Sequence, residues 1–97
     1  MNKYFASDYA EARGKFLAAA ESADVPLWQF DHPLTGPKDE ALGTDIVWLG
    51  AQDAQHVVVA GSATHGIEGF CGSGCQTGFL TENWKSRLAM DTALVLV

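Results

Sequence analysis

Two apolar runs in the second half of the chain constrain the fold most. Residues 57–61 read Val-Val-Val-Ala-Gly, and residues 92–97 read Thr-Ala-Leu-Val-Leu-Val. Uninterrupted apolar runs of this length are typical of strands buried on both faces of a sheet. The stretch from residue 69 to about residue 80 predicts a glycine-rich helix between them, with a small-residue face able to approach the sheet closely. We therefore expect an α/β fold, a mixed and mostly buried sheet with flanking helices, in which 57–61 is central and 94–97 lies beside it or one position away.

The chain before residue 57 predicts one helix and two further strands. Apolar residues recur at spacings of three and four between Ser7 and Ala23, which indicates an amphipathic helix with Ser7 as its N-cap. Residues 25–30 and 44–49 predict strands, the first of them at an edge or a strand start because it contains Pro26. Residues 32–40 hold two prolines and a glycine and predict a loop, and residues 81–91 predict a polar connection.

Size and charge narrow the possible partners. The 97 residues include 12 acidic and 6 basic side chains, a formal charge of −6, and 47% are hydrophobic. This is room for one small globular domain at most. Because no cluster of Lys or Arg occurs, we expect neither nucleic acid nor a membrane as a partner. No apolar run has the length of a signal peptide or a membrane span, so a cytoplasmic location is the default expectation.

The two cysteines predict no disulfide. Cys71 and Cys75 are four residues apart. On a helix this spacing puts their Cβ atoms roughly 5–6 Å apart, beyond the ~3.5–4.5 Å of a disulfide. We expect both to be reduced, unbridged and largely buried.

The terminal run, residues 92–97, reaches the last residue without a turn, a charge or a cap. We interpret residues 1–97 as the N-terminal part of a single larger domain that continues beyond residue 97. Left exposed, such a run should pair with another strand, either from the remaining C-terminal part of the same protein or from another copy.

The candidate chemistry lies in residues 61–69, directly after the first apolar run. In open α/β sheets ligands bind beyond the carboxyl ends of the strands, and here that position holds His65 and Glu68 between glycines. A nitrogen and an oxygen donor at this spacing can converge on one zinc ion. A bare His-x-x-Glu is a weak motif, and a helix-terminal carboxylate beside a surface histidine is the alternative.

The other candidate metal ligands are weaker. His56 opens the strand at 57–61, which puts it ~20 Å or more from His65 at the opposite end. His32 lies in a predicted loop and could approach only if its strand runs parallel to the central one. Cys71 and Cys75 are typical of the core of a helix packed on a sheet.

A longer phrase carries a family resemblance. Residues 62–73, Ser-Ala-Thr-His-Gly-Ile-Glu-Gly-Phe-Cys-Gly-Ser, resemble the metal-binding segment of the DUF2817 family, which is related to the zinc carboxypeptidases. The match extends to Tyr-Ala-Glu-Ala-Arg-Gly-Lys-Phe at 9–16, His-Pro-Leu-Thr-Gly-Pro at 32–37 and Thr-Asp-Ile-Val-Trp-Leu-Gly at 44–50. The resemblance covers almost the whole chain and implies the N-terminal part of a metallopeptidase-like catalytic domain.

The resemblance also implies a function, and it implies that some residues needed for that function lie outside this chain. It implies a zinc-dependent hydrolase of amide bonds, acting on a peptide or an N-acyl amino acid, with His65 and Glu68 as the first two zinc ligands. The third ligand, a histidine, the general-base glutamate and the carboxylate-binding arginine are implied beyond residue 97, so this chain carries no assigned catalytic residue and should be inactive alone. Candidates for orienting the ligands or binding an oxyanion are Ser62, Thr64, Gly66 and Gly69, each with an alternative role in a cap or turn.

Two alternatives stay open. The related carboxypeptidases often carry Arg immediately before the ligand Glu, where this chain has Ile67. Thr-His-Gly-x-Glu, residues 64–68, also resembles the aspartoacylase and succinylglutamate desuccinylase branch, which implies deacylation of small N-acyl amino acids. The third possibility is a non-catalytic α/β binding domain that carries the same loop.

Overall fold

The computed structural model describes residues 2–97 as a single sheet with helices on one side. The elements in chain order are a 3-10 turn Asn2–Tyr4, α1 Tyr9–Ala23, β1 Leu27–Thr35, β2 Ala41–Leu49, β3 His56–Ala60, α2 Gly69–Thr81, a second 3-10 turn Trp84–Arg87 and β4 Thr92–Leu96. The strand order is β1-β2-β4-β3. β2 is antiparallel to both β1 and β4, and β3 is parallel to β4. The predicted mixed α/β fold is confirmed.

The two apolar runs are neighbours, as predicted. β3 and β4 pair from His56 opposite Thr92 to Ala60 opposite Leu96, and α2 connects them. The prediction that β3 is central is wrong, because it forms an edge of the sheet, and Val57, Val58 and Val59 are 48%, 53% and 65% exposed. A run of β-branched residues favours a strand, but it does not indicate whether a neighbouring strand or helix covers that strand.

The terminal run occupies the interior position instead. β4 lies between β2 and β3, and its residues Ala93, Val95 and Leu96 are buried. The expectation that this run is exposed and needs a further strand is therefore wrong, because both of its edges are already paired. β4 pairs antiparallel with β2 on one side and parallel with β3 on the other.

The core lies between the helices and one face of the sheet. It contains Phe16, Ala19, Ala20, Val47, Leu49, Leu80 and Leu96, contributed by α1, α2, β2 and β4. The register places Trp28, Phe30, Val57 and Val59 on the opposite face, where all four are exposed. No helix among residues 2–97 covers that second face. The same part of the chain holds no helix of the length and hydropathy needed to cross a bilayer.

α1 is fastened to β2 by polar contacts as well as by the core. Arg13 makes a bidentate ion pair with Asp45, with Nε and Nη2 at 2.8 and 2.9 Å from the carboxylate oxygens. The Arg13 and Asp45 side chains are 17% and 8% exposed. Asp45 raises the pKa of Arg13 above its ordinary value. The hydroxyl of Tyr9 also donates to the carbonyl of Gly43 and accepts from its N–H.

The start of α1 corrects the predicted cap. Asp8, and not Ser7, is the N-cap, and its carboxylate accepts the N–H of Glu11 at 2.8 Å. The backbone N–H and hydroxyl of Ser7 both donate to the Glu11 carboxylate at 2.9 Å. The Glu11 side chain thus accepts from the residue before the N-cap, while the Glu11 N–H donates to the N-cap carboxylate itself. The Ser7 backbone bond, followed by Lys15 and the Ser7 hydroxyl, lowers the pKa of Glu11 to about 2.

The predicted loop at 32–40 is wrong over its first half. β1 continues through His32 and Pro33 to Thr35, and β2 begins at Ala41. Pro33 is tolerated because β1 is an edge strand, and the register is irregular between Asp31 and Thr35. Pairing with β2 overrides the loop preference of the local sequence.

The glycines of α2 do not serve the predicted approach to the sheet. A Cβ atom on Gly74 would lie 2.3 Å from the ring of Phe5, and one on Gly78 would lie 3.0 Å from the ring of Tyr4. The small-residue face therefore receives the N-terminal segment of the chain. Cys71 and Cys75 on the same helix are free, as predicted, but both are exposed. The prediction that they are buried is wrong, because the glycines and not the cysteines occupy the packed side.

Candidate metal site

The loop that carries the candidate ligands leaves the sheet at the carboxyl end of β3. The N–H of Val97 donates to the carbonyl of Ala60 at 3.0 Å, and the N–H of Ser62 donates to the carbonyl of Val97 at 2.8 Å. These bonds extend the β3–β4 ladder past the last strand residues. Residues 61–68 therefore start from a fixed position beside two parallel strands, where open α/β sheets bind ligands.

The loop then turns sharply into α2 at an alanine. Ala63 has a φ of +59°, in the left-handed region that non-glycine residues seldom adopt. A Cβ atom on Gly69 would lie 2.6 Å from the Cα of Ala63. The glycine that opens α2 thus lets the loop backbone lie directly against the helix.

His65 and Glu68 come together on the outside of this turn. His65 Nδ1 lies 3.6 Å from Glu68 Oε1, and the side chains are 85% and 64% exposed. Two atoms about 2.1 Å from a tetrahedral zinc ion lie about 3.4 Å apart. The separation is thus longer than a good hydrogen bond and close to that of two ligands of one metal ion. The donor pair fits the group that the sequence resemblance implies.

The Glu68 carboxylate is oriented by the backbone of its own turn. The N–H of Gly66 donates to Glu68 Oε1 at 3.1 Å. This bond and the N–H of Glu68 itself lower the pKa of the Glu68 carboxyl below its ordinary value. The carboxylate is therefore ionised at neutral pH, as a metal ligand must be.

The other predicted site residues have mixed environments. The N–H of Gly69 donates to the carbonyl of Gly66 at 2.9 Å, and the N–H of Ser62 is used by the β4 end. The N–H groups of Gly66 and Gly69 are therefore already hydrogen-bonded within the turn. Thr64 is exposed beside His65, and Ser62 is half-buried.

The remaining ligand candidates lie elsewhere. His56 opens β3 at the opposite end of the strand, where its Nε2 is 3.5 Å from Asp91 Oδ2. His32 lies on β1, which runs in the direction of β3 but is separated from it by β2 and β4, three strand spacings or about 14 Å. Among residues 2–97 no three His, Cys, Asp or Glu side chains are grouped closely enough to hold a metal ion. Within this part of one chain, the site consists of two donors.

One buried polar residue near the site was missed from the sequence. The side-chain amide of Gln76 donates to the carbonyl of Ala60 at 2.9 Å and to that of Val97 at 3.3 Å. It ties α2 to the ends of the two strands beneath the loop. The sequence feature that could have identified Gln76 was its position as a single side-chain amide among small and apolar residues in the second half of a predicted helix.

A separate cavity of about 670 Å³ lies between the C-terminal halves of α1 and α2. Its lining includes Lys15, Thr77 and Lys85 and none of the predicted site residues. Lys15 and Lys85 already donate to the carbonyls of Phe5 and Ala23. The cavity therefore lies in the helix layer, away from the candidate metal site.

The fold and the candidate site define a class of protein. It is an α/β domain in which the loop after a parallel strand carries two side chains that can bind a metal ion. The chain matches the family described as "Protein of unknown function (DUF2817)" over residues 5–97, and it belongs to that family. The resemblance noted from the sequence is thereby confirmed at the level of the family. No curated protein matches the chain.

Proposed function

We propose that this protein supplies His65 and Glu68 as two ligands of a zinc site that hydrolyses amide bonds in the manner of a carboxypeptidase. The observation that carries the proposal is the 3.6 Å separation of His65 Nδ1 and Glu68 Oε1. Their place at the carboxyl end of β3, beside a parallel strand, supports it. Membership of DUF2817 agrees with the family on which the sequence resemblance, and the function it implies, depend.

In this proposal the residues of the chain bind the zinc ion and orient its ligands. Glu68 brings a negative charge, and the Gly66 N–H fixes the orientation of its carboxylate. The bond from Gly69 to Gly66 holds the turn on which both ligands stand. Bound zinc would supply a Lewis acid that activates water and polarises the amide carbonyl.

Two ligands do not make a complete catalytic site. Catalytic zinc sites use three protein ligands, and a glutamate or similar group must take the proton from water. We therefore propose that this chain alone binds zinc weakly and does not hydrolyse a peptide or an N-acyl amino acid at a measurable rate.

Zinc titration of the purified chain by calorimetry tests the ligand assignment. Loss of an outer-shell partner already costs about 10–100-fold in metal affinity, so His65→Ala and Glu68→Gln should each weaken binding at least about tenfold. His32→Ala is the matched control, because His32 lies at the other edge of the sheet. Equal affinity in the parent chain and His65→Ala would overturn the assignment.

Hydrolysis assays separate the alternatives. Short peptides represent the carboxypeptidase reaction, and small N-acyl amino acids represent the deacylase reaction. A His65-dependent turnover by the chain alone would contradict the proposed absence of a third ligand and a base. Zinc binding without turnover of either substrate class, even when the missing groups are supplied, would favour the non-catalytic binding domain.

A further inference from the structure

α2 touches the start of the site loop, residues 61–68, through two glycines. A Cβ atom on Gly72 would lie 2.8 Å from the Cβ of Ser62, as one on Gly69 would lie 2.6 Å from the Cα of Ala63. Residues three apart share a face of a helix, so both contacts lie on one side of α2. Contacts between small groups bring two elements close together, but they are not directional and do not fix the position of a helix along its axis.

Gln76 makes a directional contact on the same side of α2, one turn beyond Gly72. It is 8% exposed, and its side-chain nitrogen donates to the carbonyls of Ala60 and Val97 at 2.9 and 3.3 Å. A primary amide has two N–H donors, which is enough for one bond to each carbonyl. The two bonds therefore connect the middle of α2 to the ends of β3 and β4 at a defined point.

Neither carbonyl needs Gln76 in order to be hydrogen-bonded. The carbonyl of Ala60 accepts the N–H of Val97 at 3.0 Å, and that of Val97 accepts the N–H of Ser62 at 2.8 Å. The Gln76 amide adds a second bond to each. Removing an amide from water carries a free-energy cost that offsets much of the gain from its hydrogen bonds, so its net effect on stability is small. What the two bonds add is a fixed alignment of α2 with the strand ends.

The two candidate ligands lie on opposite sides of the junction that Gln76 holds. The backbone bonds that lead into α2 begin with the Gly69 N–H donating to the Gly66 carbonyl, and Glu68 is the N-cap of α2. His65 precedes these bonds and lies on the strand side of the junction. The separation of the two ligands therefore depends on where α2 lies relative to the end of β3.

We propose that Gln76 is a positioning residue of the candidate metal site, an inference that rests on the proposed function. Its bonds to Ala60 and Val97 fix α2 against the strand ends, and thereby hold Glu68 at the distance from His65 at which the two can share one zinc ion. Gln76 lies about two helical turns beyond Glu68, ~12 Å along the helix axis. A shift of α2 at Gln76 is passed along this short helix to Glu68.

Zinc titration of Gln76→Met tests the proposal. Methionine fills a similar volume without a donor, so the fold should persist while α2 loses its alignment. We expect the zinc affinity to fall at least about threefold, less than the ~10–100-fold typical of groups that contact a metal ligand directly. Leu80→Val, one turn further along α2 at a residue 4% exposed, is the control, because it weakens the core and keeps both Gln76 bonds. Parental affinity in a folded Gln76→Met, or an equal loss in Leu80→Val, would overturn the proposal.

Amide hydrogen exchange gives a readout that does not depend on zinc. Gln76→Met should speed exchange of the Ser62 N–H at least about threefold, because the strand ends open more often once α2 is released. The N–H of Trp48 donates to the carbonyl of Pro26 at 3.1 Å, away from α2, and its exchange should not change. Equal acceleration at both positions would indicate a loss of overall stability and would contradict a positioning role.

A second variant reaches the same junction from the loop side. Gly72→Ala puts a Cβ atom 2.8 Å from the Cβ of Ser62 and forces α2 away from the site loop, although alanine favours the helix itself. It should lower the zinc affinity at least about threefold, whether or not Gln76→Met folds. Unchanged affinity in Gly72→Ala would show that the ligand pair does not depend on the position of α2.

The combined results separate this inference from the proposed function. Weaker zinc binding by His65→Ala, with parental affinity in Gln76→Met and Gly72→Ala, would overturn the positioning role alone. No effect of His65→Ala would overturn the proposed metal site, and faster exchange at Ser62 in Gln76→Met would then leave Gln76 as an anchor of the loop only.

Discussion

The two edges of this sheet differ in how they meet solvent. β1 is nine residues long, carries Asp31 and Pro33, and pairs irregularly with β2 between Asp31 and Thr35. β3 is five residues long, regular, and exposes three consecutive valines. Charges, proline and irregular pairing discourage a further strand, so β1 has the features of a permanent edge and β3 does not.

The supports of the two halves differ as well. The half that contains β1 and β2 is held under α1 by the Arg13–Asp45 ion pair. The half that contains β3 and β4 is held under α2, whose glycines admit Phe5 and the loop after β3. One half therefore relies on a charge pair and the other on close packing of small residues. Substitutions in each half can test this contrast.

The largest effect is expected at the ion pair. Arg13→Met leaves the Asp45 carboxylate, whose side chain is 8% exposed, without its partner. We expect the free energy of unfolding to fall by about 3 kcal/mol, measured by urea denaturation, because an unpaired buried charge is strongly destabilising. Lys38→Met, on the exposed turn after β1, is the control and should change it by less than about 0.5 kcal/mol. Similar values for both variants would mean that α1 is held by apolar packing alone.

The next effect is expected in α2. Gly74→Ala puts a Cβ atom 2.3 Å from the ring of Phe5 and should destabilise the protein by about 1–3 kcal/mol despite the better helix propensity of alanine. Gly14→Ala in α1 meets nothing within 4 Å and should stabilise it by about 0.5–1 kcal/mol. Thermal denaturation of the two variants compares them directly, and stabilisation by both would remove close packing as the support of α2.

A smaller effect on stability is expected at the β1 edge. Pro33→Val restores a backbone N–H and should change the free energy of unfolding by less than about 1 kcal/mol. Urea denaturation of the variant and of the parent chain measures the difference, and a larger change would show that Pro33 itself supports the pairing of β1 with β2.

The smallest effect concerns the start of α1. The pKa of Glu11 is lowered from 4.5 to about 2, so its contribution to stability is fully present above pH 4.5 and is lost as the pH falls through about 2. Ser7→Ala removes one of the donors to the carboxylate and should raise this pKa. Titration of the Glu11 side chain by NMR in both proteins measures the shift. A carboxyl that titrates near 4.5 in the parent chain would show that the bonds from Ser7 do not persist in solution.

Local patterns in the sequence were sufficient to predict most helices and strands and the position of the candidate site. The spacing of apolar residues predicted α1, the runs at 57–61 and 92–97 predicted β3 and β4, and both ends of α2 agree with prediction within one residue. The loop with His65 and Glu68 follows β3 as expected. These features depend on neighbours in the sequence, and periodicity and spacing report such neighbours directly.

The neighbours of each strand were decided only by the tertiary structure. The same apolar character occurs in β3 and β4, yet β4 is buried between two strands and β3 is an edge, because β2 pairs with β4. Pairing with β2 also extended β1 through Pro33, against its local preference. The side of α2 that is packed, and hence the exposure of Cys71 and Cys75, depended on where Tyr4 and Phe5 lie. Apolar character shows that a residue gains by leaving water, but contacts between distant segments determine which surfaces do so.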